Sequence, residues 1–161
     1  MKHTSWWIGL FSLWAAGVGA VDLNTDAMKK MQQRGHQILD AEQNLRTFRS
    51  ANGQCLQVGG APDQVGAGLV SRKCNGKAAN QKWRFDDSGR LVSRGDTCVD
   101  ISGPGKAGSK AVMQQCSGAS TQKWRHDDAI RLVNAGGLCL QVNAGNIVAE
   151  TCADAPAQRW D

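Results

Sequence analysis

Six cysteines are the residues of this chain best suited to metal or covalent chemistry. They fall into three successive pairs of similar spacing, Cys55/Cys74, Cys98/Cys116 and Cys139/Cys152. Zinc is one candidate partner, but no pair has the short spacing of a zinc knuckle, and only His36 and His126 lie beyond residues 1–20. Six cysteines allow 15 pairings. The regular spacing favours one disulfide within each pair, and we expect no metal or other cofactor.

Two pairs of adjacent carboxylates, Asp86-Asp87 and Asp127-Asp128, resemble candidates for general acid-base catalysis. Glycosidases need two carboxyl groups about 5–10 Å apart across one bond. These two pairs instead occupy equivalent positions in the repeat described next, so we expect them to be far apart and to lie in hairpin turns. The sequence contains no Ser/His/Asp or Cys/His arrangement and no phosphate-binding loop. It therefore predicts no enzyme.

A Gln-x-Trp triplet follows each cysteine pair in the second half of the chain. The triplets are Gln81-Lys82-Trp83, Gln122-Lys123-Trp124 and Gln158-Arg159-Trp160. Apolar residues also recur in register, and the position directly after the first cysteine is Leu56, Val99 or Leu140. A period of about 40 residues is typical of chains that build one small unit several times and pack the copies together.

The elements that position these residues are predicted to be strands. From Leu45 onward, short apolar segments such as Ala111-Val112-Met113 are separated by Gly, Asn and Asp. This pattern indicates an all-β barrel or sandwich. Four segments in each copy predict about twelve strands within residues 45–161.

A polar segment, residues 21–44, precedes the repeats. Its apolar residues Met28, Met31 and Ile38 lie at roughly helical spacing. Gly35 in the middle costs about 1 kcal/mol relative to Ala in a helix interior. We therefore predict a partly helical segment, in which Gly35 allows a kink or a division into two short helices.

Residues 1–20 have the pattern of a secretory signal peptide. Lys2 and His3 are basic, Trp6 to Gly19 form an apolar run, and Val18-Gly19-Ala20 resembles a cleavage site. The run is too short to span a bilayer. We therefore predict a secreted protein, extracellular or periplasmic, with no membrane span. An even number of cysteines in a short exported chain is typical of disulfides.

The charge of the chain excludes one class of partner. The formal net charge is +5, and removal of Lys2 with the leader lowers it by one. The basic residues are scattered along the chain rather than clustered. A modest and dispersed excess of positive charge permits attraction to acidic glycans, but it is not typical of nucleic-acid-binding proteins.

The repeated motifs resemble a known family. Cys-Leu-Gln-Val, Cys-Val-Asp-Ile and Cys-Leu-Gln-Val, each followed by a second cysteine and Gln-x-Trp, are similar to the ricin B-type lectin module over roughly Arg46 to Asp161. The resemblance implies a β-trefoil of three four-stranded lobes around a pseudo-threefold axis. We call these lobes α, β and γ, in chain order. The resemblance also implies that the three tryptophans are core residues and that each lobe contains one disulfide.

In that family each lobe can hold a shallow sugar pocket. An acidic residue two positions after the first cysteine accepts hydrogen bonds from sugar hydroxyls, and an Asn-Gln pair at the Gln-x-Trp triplet adds others. The matching residues are Asp100, Thr121 and Gln122 in lobe β, Gln57, Asn80 and Gln81 in lobe α, and Gln141, Ala157 and Gln158 in lobe γ. No lobe has the full set, so we expect carbohydrate-binding residues in lobes β and α. Asp100 as a turn carboxylate and the glutamines as structural residues are the alternatives.

The family also uses an aromatic ring, two positions before the second cysteine, to stack on the sugar. Here that position is Arg72, Gln114 or Glu150. Beyond residues 1–20 the Trp and Phe residues are the three repeat tryptophans, Phe48 and Phe85, all predicted to be interior. His126 is predicted to be a core or half-buried residue rather than a catalytic one. We therefore expect sugar recognition by polar contacts.

Three functions fit this pattern. The first is a carbohydrate-binding protein whose partners are glycans or glycoconjugates. The second is a trefoil that binds a separate protein chain, as an inhibitor or as a toxin delivery subunit resembling those of cytolethal distending toxins. The third, a glycosidase or protease, is the weakest, because the sequence offers no catalytic residues.

Overall fold

The computed structural model describes residues 24–161, which form one helix and ten named strands. The predicted signal peptide lies outside the described residues. The helix α1 is Thr25–Gln43. The strands are β1 Gln54–Val58, β2 Leu69–Lys73, β3 Trp83–Phe85, β4 Leu91–Ser93, β5 Thr97–Ile101, β6 Ser109–Gln115, β7 Trp124–His126, β8 Leu132–Asn134, β9 Leu138–Asn143 and β10 Asn146–Thr151. Short 3-10 turns cover Ala79–Gln81, Ser120–Gln122 and Pro156–Gln158.

Three antiparallel hairpins, β1/β2, β5/β6 and β9/β10, are the repeated units of the fold. Their registers are equivalent, since the residue two positions after the first cysteine always faces the valine four positions before the second. The pairs are Gln57↔Val70, Asp100↔Val112 and Gln141↔Val148. Strand β10 pairs with both β6 and β2, and Gly68 bridges Val112. The hairpins therefore meet around one axis, as a β-trefoil requires.

The number of strands is lower than the twelve predicted. The remaining two segments make only isolated bridges, in which Arg49 pairs with Cys55 and Ser50 with Trp160. These bridges still join the beginning of the trefoil to its end, because Arg49 and Asp161 exchange backbone hydrogen bonds of 2.7 and 2.9 Å.

The three repeat tryptophans lie in the core, as predicted, with exposures of 0, 4 and 0% for Trp83, Trp124 and Trp160. Each indole N–H donates to a backbone carbonyl of the first hairpin strand in its own lobe. The acceptors are Leu56, Val99 and Leu140, all at 3.0 Å. A buried indole needs such a partner, so the repeated motif specifies both the packing and the hydrogen bond.

Two other aromatic positions differ from each other. Phe48 is buried, but Phe85 is only partly buried and packs against the edge of the core, so the prediction that it is interior was wrong. Phe85 lies at the end of the three-residue edge strand β3, and its ring packs edge-to-face against Phe48. His126, the equivalent residue one lobe later, is half-buried, as predicted. Its Nε2 lies 2.6 Å from the Trp160 carbonyl.

One disulfide closes each lobe. The bridges are Cys55–Cys74, Cys98–Cys116 and Cys139–Cys152, and no cysteine of the described residues is free. The predicted pairing is confirmed. The cysteines are therefore not available as zinc ligands.

Helix α1 runs through Gly35 without a break. Asn24 caps the helix, since its Oδ1 accepts a hydrogen bond from the Ala27 N–H at 3.0 Å. The residues around Gly35 are mostly good helix formers, which outweigh the cost of one glycine. An ion pair of 3.1 Å joins Glu42 near the helix end to Arg94 of the trefoil. No described helix has the length and apolar character needed to span a bilayer.

Candidate functional site

The glutamine of each Gln-x-Trp triplet is a buried structural anchor. Gln81, Gln122 and Gln158 are only 1, 2 and 1% exposed. In every lobe the side-chain Oε1 accepts a backbone N–H from just after the second cysteine. The Nε2 donates to the backbone carbonyl of the residue before that cysteine. The anchor thus ties the hairpin to the 3-10 turn that leads into the tryptophan.

The second Nε2 hydrogen of each anchor is donated to the side chain two positions after the first cysteine of the same lobe. Gln122 donates to Asp100 Oδ2 at 2.9 Å, Gln81 to Gln57 Oε1 at 2.8 Å, and Gln158 to Gln141 Oε1 at 2.9 Å. Because both amide hydrogens are committed within the protein, Gln81 and Gln122 are poorly placed to donate to a ligand. Their geometry supports a positioning role instead of the direct contact suggested by the sequence.

Asp100 is the one carboxylate at the three equivalent pocket positions. Its Oδ1 accepts the Ile101 N–H at 2.7 Å, and its Oδ2 accepts Gln122. A carboxylate has about four acceptor sites, so about two remain for an outside donor. The side chain is partly exposed on the outer face of β5. Two fixed hydrogen bonds hold it in one orientation, which lowers the entropic cost of binding.

The remaining predicted residues of lobes α and β flank these positions. Asn80 donates through Nδ2 to the carbonyls of Val58 and Gly60, at 3.3 and 3.1 Å, and so fixes the loop after β1. Thr121 lies in the 3-10 turn beside Gln122 and is partly exposed. Thr121 therefore lies next to Gln122, the anchor that holds Asp100. The side-chain nitrogen of Asn80, by contrast, already donates to two backbone carbonyls.

The stacking position contains no aromatic ring in any lobe. Arg72 is exposed, and Gln114 and Glu150 are partly exposed. The Arg72 Nη1 donates to the carbonyls of Ser71 and Gly145, at 2.8 and 3.4 Å. The side chain at the stacking position is therefore polar or charged in every lobe.

Apolar side chains of lobe γ line part of a surface groove. A groove of about 320 Å³ is lined by Val142, Pro156 and Ala157 together with the turn 50–52. The β9/β10 turn consists of Ala144 and Gly145, both with positive φ (48° and 82°), which is the geometry of a tight two-residue turn.

The paired acids are turn residues, as the sequence suggested. Asp127 accepts backbone N–H groups from Ala129 and Arg131, and its Oδ2 pairs with the Arg131 guanidinium at 2.8 Å. Asp86 and Arg90 repeat this arrangement one lobe earlier, with an ion pair of 2.6 Å. A group of three or more potential metal-ligating side chains was not found among residues 24–161.

These contacts change the acidity of both turn carboxyls. Burial acts to raise the pKa of Asp127, but hydrogen bonds from the Arg131 side chain and backbone outweigh it and hold the pKa below its ordinary value of 3.8. The pKa of Asp86 is lowered in the same way against its own burial, by Arg90. A general acid needs a raised pKa, so both carboxyls are suited to a structural role.

We predict that Asp127→Asn lowers the free energy of unfolding at neutral pH by about 1–3 kcal/mol, because a partly buried, charge-assisted pair is lost. A lowered folded-state pKa means that the stabilisation is complete above the unfolded value of 3.8 and is lost as the pH falls below it. The variant should therefore lose less stability than the wild type between about pH 4 and pH 2. Urea unfolding at several pH values measures this. The exposed neighbour Asp128→Asn is the control, and equal effects of the two changes would contradict the prediction.

Sequence reasoning missed the partners that hold these residues. The role of Gln122 in orienting Asp100 was not predicted, although the recurrence of a glutamine in all three copies was the available signal. Arg90 and Arg131 were also not singled out. Each follows its aspartate by four positions, and that shared spacing indicated the ion pairs.

Comparisons with known proteins agree with this geometry. The model of the ricin-type beta-trefoil lectin domain matches residues 41–160. The designed threefold-symmetric protein ThreeFoil is 24% identical, with a TM-score of 0.66, over 73% of this chain and 96% of that chain. The lectin domain of the Vibrio vulnificus hemolysin/cytolysin, solved with N-acetyl-D-lactosamine bound, is 23% identical, with a TM-score of 0.62, over 73% of this chain and 92% of its own.

The C-half of an earthworm R-type lectin, solved in complex with GalNAc, gives 20% identity and a TM-score of 0.62 over 73% of this chain and 96% of that chain. At these identities the structural similarities show the β-trefoil fold. No curated protein sequence matches the chain significantly.

Proposed function

Because this chain belongs to the ricin-type β-trefoil lectin domain family, we propose that it is a secreted carbohydrate-binding protein whose main sugar contact is Asp100 in lobe β. The observation that supports this site is the orientation of Asp100 by Gln122 and Ile101, which leaves about two acceptor sites of this partly exposed carboxylate without a hydrogen bond from the described residues. Sugar hydroxyls are donors, and a carboxylate accepts from them more strongly than a neutral amide does. Thr121 and Gln114 flank the carboxylate with further polar groups.

The ligand class follows from what the site lacks. Without an aromatic ring at the stacking position, apolar contact with the sugar face contributes little, and vicinal hydroxyls must supply most of the affinity. We therefore propose neutral sugars of the galactose or xylose type. The solved relatives with N-acetyl-D-lactosamine and GalNAc support a galactose-type ligand.

Asp100→Gln is the variant that tests this site best, because Gln57 and Gln141 already occupy the equivalent positions and accept the same anchor hydrogen bond. The fold should be retained while the charged acceptor is lost. Charge-assisted hydrogen bonds contribute about 1.5–3 kcal/mol, so affinity for the neutral sugar should fall about 10- to 150-fold. Calorimetric titration after a glycan-array screen measures this.

Asp128→Asn is the matched control, because it removes the same charge from an exposed turn. It should leave the affinity unchanged. Equal affinity of the wild type and Asp100→Gln for every sugar that binds would exclude Asp100 as the contact.

We propose that residues 1–20 direct export and that the mature chain begins near Val21. The three disulfides support an oxidising compartment, extracellular or periplasmic. N-terminal sequencing of the protein recovered outside the cytoplasm tests the cleavage site.

One observation favours a second candidate function, the binding of a separate protein chain. The described residues of helix α1 include four large exposed apolar side chains. These are Met28, Met31, Ile38 and Leu39, which are 51–76% exposed. Exposed apolar patches of this kind often mark interaction sites. This function would be favoured over sugar recognition by two results together. The chain would bind no glycan, and it would form a stoichiometric complex with a protein that is lost in the Met31→Glu variant.

A further inference from the structure

The orientation of the Gln57 side chain is fixed by its buried neighbour. Both Nε2 hydrogens of Gln81 need acceptors, and one of them points to Gln57 Oε1 at 2.8 Å. The oxygen of the Gln57 amide must therefore face inward, so its NH₂ group faces out of the pocket. At the same position Asp100 presents acceptors. Lobe α thus presents hydrogen-bond donors where lobe β presents a negative charge.

A positive charge lies on the same outer face of the hairpin as this donor. Gln57 pairs with Val70 across the hairpin, and Arg72 is two residues further along β2, so both side chains project from the same outer face. Such diagonal neighbours have Cα atoms about 7–8 Å apart, within reach of long side chains. The Arg72 guanidinium is exposed and uses Nη1 for the Ser71 and Gly145 carbonyls. Its planar fork suits a carboxylate or sulfate.

The other lobes do not repeat this combination. Lobe γ has the same amide, Gln141, bound in the same way, but Glu150 stands at the position of Arg72. The loop after the second cysteine adds to the contrast, since it contains Lys77 in lobe α and Asp154 in lobe γ. Lobe α is therefore the one lobe of the described trefoil with both a donor amide at the Gln57 position and a cation at the stacking position.

We infer that the lobe α pocket binds an anionic group of a glycan, a carboxylate or a sulfate, through Gln57 and Arg72. This inference rests on the proposed carbohydrate-binding function and assigns lobe α a ligand class distinct from that of lobe β. A glycan with a neutral galactose-type residue and an acidic residue would then contact two lobes with different chemistry.

The test uses Gln57→Glu in the full mature protein. Glutamate keeps an oxygen for Gln81 but replaces the outward NH₂ with a second oxygen, so it repels an anion. We expect affinity for methyl glucuronide or for a sulfated galactose to fall at least about tenfold. Titrating the two ligands separately distinguishes carboxylate from sulfate. Raising the salt concentration should weaken binding of either one in the wild type.

Gln141→Glu is the matched control, because it makes the same change in lobe γ, where Glu150 stands at the position of Arg72, and it should leave the affinity for acidic sugars unchanged. Arg72→Gln should reduce that affinity as Gln57→Glu does. Equal losses from Gln57→Glu and Gln141→Glu, or no measurable binding of either acidic sugar by the wild type, would overturn the inference. Of these variants, only Asp100→Gln should reduce the affinity for neutral sugars. That affinity therefore tests the proposed function separately from the inference about lobe α.

Discussion

Full reduction of the three disulfides is expected to unfold the trefoil at room temperature. The bridged cysteines are 19, 18 and 13 residues apart in sequence. In the chain-entropy model, each loop of this size stabilises the folded state by about 3 kcal/mol. Domains of this size have about 5–15 kcal/mol of total stability. Losing three such contributions is therefore comparable with the entire free energy of unfolding.

Tryptophan fluorescence measures the result, because all three repeat tryptophans are buried and should shift to longer wavelength when water reaches them. The double variant Cys139→Ser/Cys152→Ser, with two bridges intact, is the control. It should remain folded with about 3 kcal/mol less stability. Native fluorescence in a chain shown by mass to be fully reduced would contradict the prediction.

Replacement of a repeat tryptophan by alanine is expected to have the second largest effect, about 3–5 kcal/mol for each lobe. Trp160→Ala removes a fully buried side chain and leaves the Leu140 carbonyl without its indole donor. It also leaves a cavity where the last lobe closes on Ser50. Trp83→Ala should cost a similar amount, because its environment is equivalent.

Urea denaturation followed by circular dichroism measures these costs. Phe85→Ala is the matched control, since this ring is only partly buried and donates no hydrogen bond. If Trp160→Ala destabilised the protein no more than Phe85→Ala does, the triplet tryptophans would not be the core residues described here.

The parts of the fold that could be predicted are those that repeat. Three copies of one pattern indicate that equivalent residues have equivalent surroundings, and the structure confirms this for the tryptophans, the disulfides and the hairpin registers. The resemblance to ricin B-type lectins supplied the trefoil itself, because spacing alone left a barrel and a sandwich open.

The parts that could not be predicted are those where one copy departs from the others. Ile130 has a φ of 56°, a left-handed conformation that β-branched residues rarely adopt, whereas the equivalent residue one lobe earlier is Gly89. Contacts between lobes set the backbone there. The Ile130 carbonyl accepts the backbone N–H of Trp160, and the Gly89 carbonyl accepts the backbone N–H of Trp124. Tertiary contacts thus override the local preference.

The candidate site was predictable in its positions but not in its hydrogen bonding. The motif identified Gln57, Asp100 and Gln141 as equivalent residues, but the direction of each amide depends on the buried anchor beneath it. Only the structure shows that Gln81 and Gln122 use both their hydrogens internally. This distinction separates residues that position the pocket from those that remain free to meet a ligand.

The most direct test of sugar binding in lobe β is an NMR titration with a galactose-type sugar. The Gln122 side-chain amide and the Ile101 backbone amide both donate to the Asp100 carboxylate, so a hydroxyl that binds this carboxylate must perturb their resonances. We expect these two signals to shift saturably while the equivalent Gln158 amide in lobe γ stays unchanged. Saturable sugar binding that leaves both lobe β signals in place would contradict the account.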